Sequence, residues 1–116
     1  MKYLLLMYAH MSAGPQSPED LKAAAPAWFA FLEEAKAAGV LLDNNGLAPS
    51  TNATTVRVRN DKTMITDGPF AETHEQMGGY FLIDCKDLDE AIRWAEKIPT
   101  AEYGSVEIRP LWSPGS

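Results

Sequence analysis

The run from Lys2 to Tyr8 places the tightest limit on what this chain can fold into. Leu4, Leu5, Leu6 and Met7 follow Lys2-Tyr3 without a polar break. A run of strand length that is apolar at both alternating positions is covered on both sides, so it belongs in the middle of a sheet. The same opening, one charge and then apolar residues, imitates a secretory leader. It is short for one, and Pro15, Pro18, Glu19 and Asp20 follow where a small-residue cleavage site would have to lie. No stretch approaches the roughly 20 apolar residues of a membrane helix. The expectation is a buried central strand with no membrane partner.

The rest of the chain must supply neighbours and cover for that strand. Ser17-Pro18-Glu19-Asp20 reads as a helix start: Ser17 can cap a free backbone N–H, and Pro18 suits the first helical position. Leu21, Ala25, Trp28, Leu32 and Ala35 recur at spacings of three and four, which predicts one apolar face. Pro26 interrupts that pattern and predicts a kink or a split, and Gly39 ends it. Val40 to Leu42 starts a second strand, broken by Asp43-Asn44-Asn45-Gly46. Thr54 to Arg59 alternates cleanly, Asn60-Asp61-Lys62 turns, and Thr63 to Thr66 returns as a hairpin partner. Asp67 to Met77 reads as irregular, and Gly79 to Cys85 as another strand. Asp87 caps a second helix with apolar face Leu88, Ala91, Ile92 and Ala95, stopped by Pro99. Val106 and Ile108 share one face of a last strand, with Glu107 and Arg109 on the other.

The order is strand–helix–strand, a hairpin insertion, then strand–helix–strand. Two split halves of this kind wind into a ferredoxin-like α+β fold: an antiparallel sheet with both helices on one face, the dimeric α+β barrel type. One domain covers residues 1–116. The bare sheet face needs cover, and a second copy of the same sheet supplies it, so a homodimer is expected.

Composition narrows the partners. The net charge is −6 over 116 residues, and the densest basic group, Arg57, Arg59 and Lys62, is interrupted by Asp61. Such a chain repels phosphate backbones, so nucleic acid is not expected. The lone cysteine, Cys85, cannot form an internal disulfide and fits a reducing, cytoplasmic setting. At a strand end it reads as a small buried hydrophobe.

The most specific stretch is Asp67-Gly68-Pro69-Phe70-Ala71-Glu72-Thr73-His74-Glu75-Gln76, followed by Gly78-Gly79-Tyr80. With Lys2-Tyr3, the Asp87-Leu88-Asp89-Glu90-Ala91 helix start and the closing Val106-Glu107-Ile108-Arg109-Pro110, it resembles the DGPF branch of the YCII-related family over nearly the whole chain. The resemblance implies a ferredoxin-like fold that dimerises through its sheets, as a small-molecule-binding or enzymatic dimer of no stated reaction. A non-catalytic accessory or regulatory dimer is the alternative. In the wider family a His–Asp pair is taken as a possible catalytic dyad. The matching positions here hold Trp28 and Ile98, so no dyad chemistry carries over.

Two readings of the signature stand side by side. In one, Asp67 accepts backbone N–H groups, Gly68 and Pro69 shape a turn, and Phe70 anchors it. In the other, the loop holds Asp67, Glu72, His74 and Glu75 around a ligand, with Phe70 at its border, His10 from the end of the first strand and Trp28 as an apolar wall. That second reading places the loop and the first helix on one shared cavity. Two histidines without a spacing motif do not make a metal site, and no cofactor fingerprint occurs.

Overall fold

The computed structural model describes residues 1–71 and 73–114. Its elements are β1 (Lys2–Ala9), α1 (Pro18–Ala37), β2 (Leu41–Gly46), β3 (Thr54–Arg59), β4 (Lys62–Asp67), β5 (Gln76–Asp84), α2 (Leu88–Glu96) and β6 (Ser105–Pro110). Short 3-10 turns lie at Ser50–Asn52 and Pro99–Glu102. Four strands form one sheet in the order β2-β5-β1-β6, and every neighbouring pair is antiparallel. With the β3–β4 hairpin set aside, this is the ferredoxin-like arrangement expected from the element order.

β1 is a central strand, with Leu5 opposite Phe81 on β5 and Ile108 on β6. One sheet face presents Tyr3, Leu5, Met7, Phe81 and Ile83 to Phe31, Ala35, Ala91 and Ile98, and these form the core. Leu5, Ile83 and Ile98 are fully buried. The other face carries Leu4 and Leu82, each half-buried, with Leu6 buried between them and Tyr80 and Tyr8 at the border, outside the core that the helices cover.

α1 begins as its sequence predicts. The Ser17 hydroxyl accepts the Asp20 N–H, and the Asp20 carboxylate accepts the N–H groups of Gln16 and Ser17. Gly39, at φ +72°, takes the left-handed position that lets the chain leave the helix. Pro26 neither splits nor ends α1, which runs unbroken from Pro18 to Ala37. Pro26 lies on the exposed side, where water can satisfy the carbonyl that its missing N–H would have met.

The apolar faces are rotated from those expected. Phe31 and Ala35 are the buried residues of α1, whereas Leu21 is exposed. On α2, Ala91 and Ala95 are buried and Leu88 and Ile92 lie outward. The large groups that fill the core beside α2 are Trp94 and Ile98. Glu90 also reaches one residue further back than a capping box requires. It accepts the Lys86 N–H and the Trp94 indole N–H, while Asp87 accepts the Glu90 N–H.

β2 does not break at Asp43-Asn44-Asn45-Gly46; it pairs with β5 as far as Gly46. An irregularity between Leu41 and Asp43 absorbs one residue, as edge strands permit. The polar side chains then find partners: the Tyr80 hydroxyl donates to Asp43 Oδ2 at 2.9 Å and accepts from Asn45 Nδ2 at 3.2 Å. β5 likewise starts at Gln76, three residues earlier than Gly79.

β3 and β4 pair only with each other. Asn60 and Asp61 both have positive φ, 52° and 63°, the geometry of a tight hairpin whose twist matches its strands. A chain of this length packed as a sphere has a radius of gyration of about 13 Å. The observed 16.3 Å, with extents of 48 × 47 × 19 Å, shows a flat molecule two layers thick.

Candidate functional site

The end of the sheet where β1 and β2 finish and β5 begins gathers the groups that sequence reasoning singled out, but in two places. The first is a cavity of about 460 Å³ between α1 and the sheet. Trp28 walls it, half-buried, with its indole stacked on the Phe81 ring at 6.3 Å and 18° between planes. Met7 and Phe81 contribute the sheet side, Leu21 and Leu32 the helix side. Thr100 and Tyr103, from the turn after α2, close one end. Tyr103 is held there by Gly14: a Cβ on that glycine would stand 2.5 Å from the ring, and its φ of +74° also favours glycine.

The second hollow, about 590 Å³, lies at the root of the hairpin and is lined by Leu47, Pro49, Ala53, Pro69, Phe70 and Met77. Tyr8 and Gln76 border both hollows. The expected single cavity shared by Trp28 and Phe70 is therefore two. The hairpin carries Phe70 to the far side of Tyr8 and Gln76, away from α1.

The signature turn is held differently from the expectation. Asp67 is the last residue of β4, is exposed, and its carboxylate accepts no hydrogen bond from another described residue. The turn is secured through its backbone. Gly68 N–H donates to Ala53 O at 2.7 Å, the Thr55 hydroxyl donates to Gly68 O at 2.8 Å, and Arg57 Nη2 donates to Phe70 O at 3.1 Å. Gly68 has φ +97°, which needs glycine. Phe70 does not anchor the loop with its ring, which is 77% exposed. Thr55 and Arg57, on the strand opposite, are the residues that sequence reasoning missed. Their alternation as one face of β3 was the available signal.

His10 and His74 do come together, with ring centroids 5.0 Å apart and planes tilted by 57°. Both are exposed. The Ser12 N–H points at His10 Nδ1 at 3.1 Å, and the Ser12 hydroxyl lies 2.6 Å from the same nitrogen. Among the described residues no group of three or more His, Cys, Asp or Glu is placed to hold a metal. Neither ring lines the cavity beside Trp28. Glu72 lies outside the described residues. Ile98 is fully enclosed in the core, and Cys85 is buried with its thiol pushed up chiefly by burial. Asn44, Thr100 and Tyr103, which line the cavity, carried no sequence signal of a site: Asn44 sat in an apparent strand break, and the 3-10 turn that starts at Pro99 had no periodicity to read.

This geometry defines a class first: a ferredoxin-like α+β chain with an apolar cavity under its first helix. The chain belongs to the YCII-related domain family, whose model matches residues 1–113. An uncharacterized protein of Rhizobium meliloti (strain 1021) is 48% identical over 73 residues, which span 60% of this chain and 59% of that protein. Among solved structures it is similar to a 5-chloro-2-hydroxyhydroquinone dehydrochlorinase from Burkholderia phenoliruptrix AC1100 in complex with 2,5-dihydroxybenzoquinone. The TM-score is 0.49, with 13% identity over 99% of this chain and 96% of that chain. A likeness that distant brings no activity with it. No helix among the described residues is long and apolar enough to cross a membrane.

Proposed function

We propose that this chain is a small-molecule-binding domain of the DGPF branch of the YCII-related family, working as a homodimer. The ligand sits in the cavity between α1 and the sheet. The observation that carries this reading is the Trp28–Phe81 stack, which leaves an aromatic wall open to about 460 Å³ of space instead of closing it. Ligand sites usually pair such a wall with a few polar groups, and Asn44, Thr100 and Tyr103 supply them here. Binding is favoured over acid–base catalysis because no His, Asp or Glu among the described residues lines the cavity.

Two surfaces support the dimer. One is the Leu4–Leu6–Leu82 stripe on the sheet face away from the helices, where Leu4 and Leu82 stay half-exposed beside the buried Leu6. The other is the hairpin face on which Val56 and Ile65 stand opposite each other beside Val58, exposed by 60%, 68% and 59%. The hairpin, residues 54–67, carries three basic and two acidic groups. It is thus +1 against −7 for the rest of the chain, a charge difference that favours its contact with a second copy. The same hairpin supports the alternative, an accessory or regulatory dimer acting through protein contacts.

A thermal-shift and methyl-NMR screen of metabolites tests the binding reading. A hit is expected to move Met7, Ala13 and Leu32 resonances and to raise the melting temperature. Hits that move only Val56 and Ile65 would transfer the function to the hairpin. Light scattering is expected to give twice the chain mass; a well-folded monomer would remove the dimer.

A further inference from the structure

We infer that the ligand of the α1 cavity is an uncharged, ring-containing molecule anchored by a hydrogen bond to the Thr100 hydroxyl; this rests on the binding reading above. Two independent features of the cavity carry it. The first is charge. Among the described residues no Asp, Glu, Lys, Arg or His lines the cavity, although charged residues make up 22% of the chain. A carboxylate or ammonium moved there from water loses its hydration and meets no counter-charge. A neutral ring loses little and gains the Trp28 face.

The second feature is the polar anchor. Thr100 is 5% exposed and is the buried polar residue among those described. Its carbonyl accepts the N–H groups of Tyr103 and Gly104 at 3.2 and 2.7 Å, but its hydroxyl has no hydrogen-bond partner among the described residues. No described side-chain oxygen is both sealed and unpartnered, so this hydroxyl keeps some accessible surface, and Thr100 is among the residues that line the cavity. A ligand that displaces water from this hydroxyl must replace the hydrogen bond lost, and a ligand hydroxyl or carbonyl does so. Asn44, half-buried beside Phe81 on the same side of β2, offers a second donor and acceptor in its amide.

The test compares probes of one shape. β-Naphthol, naphthalene, β-naphthoate and naphthylmethylammonium are titrated into the full chain at neutral pH, followed by Met7, Ala13 and Leu32 methyl shifts. β-Naphthol is expected to bind, and both charged probes to bind at least about thirtyfold more weakly. The ammonium is the stringent control, since the acidic chain attracts it. Thr100→Val keeps the shape and removes the hydroxyl. It is expected to weaken β-naphthol about five- to tenfold while leaving naphthalene unchanged. A charged probe that binds the cavity as well as β-naphthol overturns the inference and leaves the binding site standing. Equal β-naphthol affinity in Thr100→Val overturns the anchor. If no probe moves the three methyls, the cavity is not a site, and this inference falls with the reading beneath it.

Discussion

The four-stranded sheet and the β3–β4 ribbon are made from the same kind of alternating strand, and the molecule treats them in opposite ways. In the sheet, Tyr3, Leu5, Met7, Phe81 and Ile83 are buried under two helices. In the ribbon, Val56, Val58 and Ile65 share a face that is mostly exposed. The other ribbon face carries Thr55, Arg57 and Arg59, with Thr66, Met64 and Lys62 opposite. A two-stranded hairpin alone is marginal in water. Here the turn geometry at Asn60-Asp61 and the ties from Thr55 and Arg57 to the turn hold it from its two ends. Alternation therefore marks which residues share a face, and only tertiary cover decides whether that face is a core or a contact surface.

That contrast breaks most visibly at Leu5. It is fully buried, and Leu5→Ala is expected to cost about 3 kcal/mol in chemical denaturation, from lost burial and the cavity left behind. An effect as small as that of a surface substitution would mean that the sheet is no better packed than the ribbon.

The ribbon should respond to the same kind of change through assembly. The double variant Val56→Ser, Ile65→Ser is expected to halve the scattering mass and to change the stability of each folded unit by no more than about 0.5 kcal/mol. A dimer that survives it confines the interface to the Leu4–Leu6–Leu82 face. Amide exchange sharpens the comparison further, with ribbon amides expected to exchange ahead of those of β1 and β5.

A smaller effect separates the two accounts of the signature turn. Thr55→Val removes the hydroxyl that donates to Gly68 O and is expected to cost about 1 kcal/mol. Asp67→Ala is expected to cost less than about 0.5 kcal/mol, because its exposed carboxylate holds nothing among the described residues. The reverse order would return the turn to Asp67.

The smallest expected effect is a pH dependence at the start of α1. The backbone N–H of Gln16, then the hydroxyl and N–H of Ser17, hold the Asp20 carboxyl below its usual range. A depressed carboxyl contributes stability above its unfolded value and loses it as pH falls through the folded one. Asp20→Asn is therefore expected to flatten the acid limb of the melting curve by lowering stability slightly at neutral pH while changing little below the folded value. An unchanged acid limb would show that the cap is not ionic.

What could be read from residues alone followed how local the cause was. The caps at Ser17 and Asp87, the Asn60-Asp61 turn and the alternation of β1 and β3 depend on neighbours within a few positions, and each appeared where its pattern placed it. Where a partner distant in sequence made the decision, the pattern misled. Asp43 and Asn45 looked like a break in the strand, but hydrogen bonds with Tyr80 keep them in it. Phe31 displaced Leu21 from the buried face of α1, because ring contacts with Phe81 and Trp94 fix how that helix is rotated. The site divides along the same line. Trp28 could be picked out from helical spacing, whereas Thr100 could not, since its burial depends on β1 and on the chain folding back over α2. Sequence determined the element order, the family signature and the antiparallel architecture, because caps, turns and periodicity act within a few residues. Tertiary structure alone decided that Trp28 and Phe70 face different hollows and that Thr100 lines the first, because cavities are formed by residues that meet only after the sheet has closed.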